Sequence, residues 1–281
     1  MTNVAMQGES RSWVELNEHY VIEKDLAAQL RNSSKQERTE LYSALYNELF
    51  QRVPSHPQLT RKISSSESEQ IVKIQIDFLS PFLAKDFSVL ELGPGDCSLS
   101  LALAEHVKAV YAVDVSDEIT RLKATPDNFH VIISDGSSIP VAAASIDLAY
   151  SNQLMEHLHP EDAFEQLTNI YQALKKKGTY ICVTPNRLSG PHDISKYFDP
   201  IATGFHLKEY TTAELTDLFK QVGFTQFKVL ISVKSWYFSF PLPLIKLYES
   251  WLQKAPTSIK RLLMKRPFIW LLGIRLVAVK G

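Results

Sequence analysis

Two cysteines in 281 residues are too few for a disulfide scaffold, and ten glycines against fourteen prolines exclude a collagen-like chain. Cys97 and Cys182 both fall inside apolar periodic segments, which reads as reduced, buried side chains of a cytosolic protein. Long hydrophobic runs are missing too. The longest, Pro267–Val279, is interrupted by Arg275 and too short to span a bilayer, so no transmembrane helix is expected. The first eleven residues are polar and carry an acid, without the basic start and apolar stretch of a secretory leader, which points to a cytoplasmic protein. No G-x-x-x-x-G-K-S/T element occurs, which argues against a nucleoside triphosphatase. Net charge is almost nil: 30 Lys plus Arg against 31 Asp plus Glu give −1, so overall charge supplies no reason to expect a nucleic-acid partner.

What is present is ample apolar material, 45% of the residues, enough for a sizeable buried core. The charge is also unevenly spread. From Lys234 onward there are nine basic residues and a single acid, Glu249, so this stretch carries +8 and the rest of the chain −9.

Residues 1–82 read as an N-terminal helical extension. Helices are expected over Ser12–Arg31 and Ser34–Gln51, the second from Leu41, Leu45 and Leu49 at four-residue spacing and from the capping-box pair Ser34 and Glu37. Pro54, Pro57 and the Ser64–Ser66 run interrupt the pattern, and helix resumes over Glu67–Phe82. From residue 83 to 233, strand-like runs alternate with helix-length segments. Strands are expected at Ser88–Leu92, Val107–Val113, Phe129–Ile133, Ile146–Tyr150, Thr179–Val183 and Phe224–Val233, with helices at Ser98–Glu105, Glu161–Lys175 and Thr212–Gln221. Such alternation implies right-handed crossovers and a doubly wound parallel α/β sheet. Residues 234–273 are too long for a turn and too apolar for a linker, so a helical insertion is expected there, before a final strand at residues 274–281.

Within the core, Glu91-Leu92-Gly93-Pro94-Gly95 carries a strand into a tight turn and then a helix. Glycine permits backbone angles closed to other residues and lets a ligand press on the main chain. Asp114 ends the next strand nineteen residues after Gly95, where a carboxylate can accept from both hydroxyls of a ribose. Asp135-Gly136 ends the third strand in the same way; it is also an ordinary turn pair. Dinucleotide enzymes want G-x-G-x-x-G, and Ser98 stands where their third glycine falls, which weakens a nicotinamide-dependent oxidoreductase as the alternative.

In order and spacing these pieces, with Ser151-Asn152-Gln153-Leu154-Met155-Glu156-His157 and Gly178-Thr179-Tyr180, resemble the class I S-adenosylmethionine-dependent methyltransferases over about residues 85–230. The resemblance implies a Rossmann-like, seven-stranded sheet whose last strand is antiparallel. It implies S-adenosyl-L-methionine as cofactor, with Gly93 and Gly95 lining its methionine part, Asp114 at the ribose, Asp135 and Gly136 bordering adenine, and Glu91, Val115, Ser151 and Asn152 as further cofactor-binding residues. Cys97 replaces a third glycine often found in that family, which crowds the helix start. Some ubiquinone-pathway relatives bind a metal through a Glu three residues before a Glu-His pair; Gln153 stands there instead, so no metal is expected.

A sulfonium methyl is already activated, so positioning matters most and a base is needed chiefly for a hydroxyl acceptor. His157 and His192 are the candidate bases, although His157 suits a helix-capping role equally and His192, beside Asp193, suits an exposed polar loop. His206, Tyr210 and Trp236 are candidate contacts to the acceptor. The aromatic and basic insertion reads as a lid over the site or as a peripheral contact with an anionic membrane. The expectation is methyl transfer to a small organic, lipid-linked or glycan acceptor, with O-methylation favoured; a catalytically silent S-adenosylmethionine-binding protein is the other reading.

Overall fold

The computed structural model describes residues 9, 11–60, 65–115, 125–233, 236–256, 260 and 268–281. Part of the basic and aromatic insertion, residues 234–235, 257–259 and 261–267, lies outside the described residues.

The chain begins with an antiparallel pair of helices, α1 (Trp13–Asn32) and α2 (Lys35–Arg52). Both open on capping boxes, Ser12 with Glu15 and Ser34 with Glu37, in which each serine oxygen accepts from the glutamate N–H and each carboxylate returns the bond. Each such cap is worth about 1 kcal/mol. A one-turn helix α3 (Pro57–Thr60) and a longer helix α4 (Ser65–Leu79) lead into the sheet.

The core alternates β1 (Ser88–Leu92), α5 (Ser98–Ala104), β2 (Ala109–Asp114), β3 (Phe129–Ile133), β4 (Ile146–Asn152), α6 (Pro160–Ala173), β5 (Leu174–Thr184), α7 (Thr212–Val222) and β6 (Phe224–Val233). Then come β7 (Trp236–Phe240), α8 (Leu242–Lys254) and β8 (Ile274–Lys280). The strand order is β3-β2-β1-β4-β5-β8-β6-β7. The pairs among β1 to β5 are parallel, while β8 runs antiparallel between β5 and β6.

The sheet therefore has eight strands, the seven expected and one more. The extra strand is β7, which pairs antiparallel with β6 at the sheet's edge, in a segment expected to be helical. Its run of four aromatics in five residues carries no two-residue alternation of apolar and polar side chains, so only pairing with β6 reveals it as a strand. The helix expected in the insertion is there as α8.

Side chains alternate across the sheet as the pleat requires. Leu90 and Leu92 face one layer, with Ile170, Phe219 and Ile245, while Val89 faces the other, with Leu99 and Leu103. Leu26, Leu30, Leu45 and Leu49 of the N-terminal helices join the first layer, so α1 and α2 are part of the main core. They are held there by Arg38, a buried side chain whose Nε and Nη2 grip both oxygens of buried Asp162 on α6 at 2.7 and 2.9 Å. Tyr42 adds a hydroxyl bond to Asp162 at 2.7 Å and accepts one from the His159 N–H at 2.8 Å.

Candidate functional site

The carboxyl ends of the parallel strands β1 to β4 open onto a cavity of about 880 Å³. Its floor comes from Leu92, Gly93 and Gly95 after β1, Val113–Val115 at the end of β2, and Ser134 and Gly136 after β3. Gln153, Leu154, His157 and Leu158, after β4, form one side. Tyr42, Ser43, Tyr46, Asn47, Phe50 and Gln51 of α2, with Gln58 and Leu59, form a roof. Among the described residues the insertion contributes nothing to this lining, so the N-terminal helices, not residues 236–256, cover the cleft.

The glycine turn is bent as the sequence demands, with Gly93 at φ 65° and Gly95 at φ 59°. A side chain at Gly93 would press on Leu154 at 3.2 Å, whereas one at Gly95 would meet nothing within 4 Å. The bare main chain at Gly95 is thus open to a ligand. Cys97 also adopts a left-handed conformation at φ 60°, and burial pushes its thiol up to about 12, so it is an inert packing group.

Of the residues singled out in the sequence, Gly93, Gly95, Asp114, Val115, Gly136 and His157 line this cavity. Glu91 lies beneath the turn, buried against the Ser100 hydroxyl, where burial first and then the nearby charges of Asp96 and Asp114 push its carboxyl up to about 7. Asp135 is turned back on its own loop: its oxygens accept from the Ser137 and Ser138 N–H groups at 2.9 and 2.7 Å and from the Ser138 hydroxyl at 2.7 Å. Burial acts to raise its pKa, but these donors together hold it low. Its carboxylate is thereby committed to the turn, and the neighbouring Gly136 faces the cavity in its place. Ser151 is buried against the Tyr180 hydroxyl at 2.7 Å, and Asn152 stands off the wall.

A second cavity of about 210 Å³ adjoins the first, and Tyr46, Gln58 and His157 line both. It is rimmed by Arg11, His19, Glu23, Leu49, His56 and Pro57 from the N-terminal region. The segment after β5 supplies His192, Asp193, Ile194, Lys196, Tyr197, Phe205 and His206. His192 has an exposed ring, with Nε2 3.0 Å from the Ser189 hydroxyl, and its N–H donates to Glu209 at 2.7 Å. Tyr210 is buried outside both cavities, and Trp236 lies on the edge strand β7, 71% exposed, because the strand's pairing with β6 turns it away from the cleft.

His157 is held where the two cavities meet. Its Nδ1 lies 2.8 Å from the Tyr46 hydroxyl and 3.1 Å from the Phe205 carbonyl oxygen. Burial, and then the charge of His206, push its pKa down to about 4, so the ring is neutral at pH 7. His206 behaves oppositely: burial opposes its charge, but Glu209 at 2.7 Å, with Glu156 and Asp193, raises its pKa. His19 bridges Arg11 Nη1 at 2.8 Å and Glu23 at 2.7 Å. A guanidinium only donates, so Nδ1 of His19 accepts and Nε2–H donates to Glu23.

Two groups have ligating atoms within 4.8 Å of one another, His19 with Glu23 and His56, and Glu156 with His157 and His206. In the first, the His19 proton already occupies the space between ring and carboxylate; in the second, His157 is tied to Phe205 and His206 to Glu209. Sequence reasoning passed over Tyr46, Gln58, His19, Glu23 and His56. The pair His19 and Glu23, four apart on one helix face, was the one available signal.

The profile of the Methyltransf_23 family, a methyltransferase domain, matches residues 41–229. A Mycolicibacterium smegmatis protein named as a probable S-adenosylmethionine-dependent methyltransferase is 26% identical over 137 residues, 48% of this chain and 51% of that protein. The chain thus spans about half the length of that relative. An uncharacterized methyltransferase of Geobacillus sp. is 30% identical over 161 residues, 53% of this chain and 75% of that one. The fold is similar to that of Haemonchus contortus phosphoethanolamine N-methyltransferase 1, solved with phosphoethanolamine and S-adenosylhomocysteine. That likeness has a TM-score of 0.57, at 15% identity over 89% of this chain and 50% of that one. A second similar structure is the methyltransferase in complex with the Haloferax volcanii Trm112 methyltransferase activator, with TM-score 0.52, 15% identity, 77% of this chain and 95% of that one.

Proposed function

Since the chain belongs to the S-adenosylmethionine-dependent methyltransferase family, we propose that it transfers the methyl group of S-adenosylmethionine, held in the larger cavity, to an acceptor in the smaller one. The observation that carries this reading is the shared wall: Tyr46, Gln58 and His157 border both spaces. A reaction between two bound molecules needs such a junction, where alignment alone contributes roughly 7 to 11 kcal/mol.

The bound sulfonium supplies an already activated methyl group. The open main chain at Gly93 and Gly95 takes the methionine part, Asp114 the ribose hydroxyls, and Val115 with Gly136 the adenine. The acceptor belongs to the small organic, lipid-linked or glycan classes and is methylated on oxygen, with His157, neutral at the junction of the two cavities, as the group placed to receive the hydroxyl proton. Calorimetry tests the reading. The wild-type chain should bind S-adenosylmethionine saturably and Asp114→Ala should bind it about 10- to 100-fold more weakly; no heat from the wild type would end the proposal.

A peripheral contact with anionic membrane is favoured by one further observation. Trp236, Phe238, Leu244, Leu247 and Trp251 are exposed on β7 and α8, in the stretch that carries +8 in the sequence. No helix among the described residues is long and apolar enough to cross a membrane.

A further inference from the structure

We propose that the acceptor is a small, uncharged, hydroxyl-rich molecule of carbohydrate type, seated in the 210 Å³ cavity with the reacting hydroxyl at His157. This rests on the methyl-transfer reading above and names the substrate class of that site.

The first support is the state of the charges around the cavity. The oxygens of Glu23 accept from the Phe205 N–H at 2.8 Å and from His19 at 2.7 Å. Those of Asp193 accept from the Ser195 and Gly204 N–H groups at 3.0 and 2.9 Å. Arg11 is held by Glu9 through two bonds of 2.9 and 2.8 Å and by His19. Glu23, Asp193 and Arg11 are thus spent on the protein itself, and exposed Lys196 at the rim lies over the Tyr197 ring, its Nζ 4.8 Å from the centroid, so the cavity offers a charged acceptor little in exchange for its water shell.

The second is the kind of hydrogen-bonding group that remains. His56, whose Nδ1 accepts from the Gln58 N–H at 3.2 Å, has its Nε2–H to donate, His157 has its Nε2, and the Gln58 side-chain amide both donates and accepts. A hydroxyl also does both, so a ring bearing several hydroxyls matches such a wall. Burial keeps His56 neutral, with its pKa pushed down to about 4, and the same holds for His157. The third is size. The volume is that of about seven waters, enough for one sugar ring and too small for an acyl chain. Leu49, Ile194 and Phe205 give the cavity one apolar strip, which suits the C–H face of such a ring.

The transfer then balances as follows. Nδ1 of His157 faces the Phe205 carbonyl at 3.1 Å and the Tyr46 hydroxyl at 2.8 Å, and in the tautomer that donates to these two oxygens Nε2 is the basic nitrogen. The acceptor hydroxyl gives its proton to Nε2 while its oxygen bonds the methyl carbon. The carbon–sulfur bond breaks, the electron pair stays on sulfur, and a methyl ether, a neutral thioether and an imidazolium result.

The experiment incubates the full chain with S-adenosylmethionine and a panel of acceptors, reading S-adenosylhomocysteine release and product mass. One arm holds methyl glycosides of hexoses and deoxyhexoses, a second oligosaccharides of two to about four such units, and a third ethanolamine, catechol and a fatty acid. Release at least about tenfold over background in a sugar arm is expected, and the better of the two arms tells whether the source is a free sugar or the end unit of a glycan. His56→Ala should raise the sugar KM about tenfold while leaving S-adenosylmethionine affinity unchanged, since His56 lines only the smaller cavity. Transfer to the third arm alone, or to no sugar in a chain that binds S-adenosylmethionine, would overturn the assignment. Failure to bind S-adenosylmethionine at all would instead defeat the methyl-transfer reading beneath it.

Discussion

Glu91 shows how an ionisable side chain can hold a site together without touching the ligand. Its carboxyl, raised to about 7 by burial, keeps a proton in the folded chain that an ordinary glutamate releases near 4.5. The native state therefore binds more protons than the unfolded one between those values, and stability falls as pH rises through this window. Glu91→Gln removes the dependence. Its urea midpoint should equal that of the wild type near pH 4.5 and exceed it increasingly toward pH 7; a difference that stays flat with pH would refute the assignment. At this scale the sequence was legible where the backbone itself makes the demand. Gly93, Gly95 and Asp114 are fixed by a turn and a strand end, features that adjacent residues announce. Asp135 could not be read, because its two serine neighbours compete with a ligand for the same oxygens. Nor could Tyr46, which is 111 positions from the histidine it bonds.

The α1–α2 hairpin is the element that turns an open sheet edge into an enclosed pair of cavities. Its two capping boxes follow a local pattern, and Ser34 with Glu37 was readable for that reason. Its docking was not readable, since Arg38 finds Asp162 across 124 residues and sequence spacing says nothing of such partners. The hairpin is pinned by that buried pair, so removing one member leaves the other charged and desolvated. Arg38→Ala should lower unfolding free energy by about 3 to 5 kcal/mol and weaken S-adenosylmethionine binding through the loosened roof. Chemical denaturation and calorimetry check the two effects, and an unchanged denaturation curve would show that α2 is held by other contacts. The edge strand β7 was missed for the opposite reason: a nearly continuous apolar run fits helix and strand alike until a neighbour decides.

Seen whole, the molecule is a dipole in sequence and a layered sheet in space. Glu249, the single acid after residue 233, is fully buried, and its oxygens accept from the Thr212 and Ala213 N–H groups at 2.8 and 3.0 Å at the start of α7. The one negative charge of that stretch is consequently hidden, and among its described residues Trp236, Phe238, Leu244, Leu247 and Trp251 are left exposed. Flotation with vesicles containing anionic lipid should carry the protein upward at low salt and less so at high salt, with Trp236→Ala and Trp251→Ala weakening it. No flotation on such vesicles would end the membrane contact. That β1 to β5 pair in parallel was legible because helix-length crossovers join them, whereas their order in the sheet was not.

The place of β8 bears on how the chain is made. Residues 274–280 lie between β5 and β6, so the β6–β7 pair has no strand linking it to β5 until translation has passed residue 280. One edge of β5 and one of β6 must wait unpaired for β8 on the ribosome or on a chaperone, while the nucleotide-side half, with the 203–206 segment that bonds α1, can already assemble.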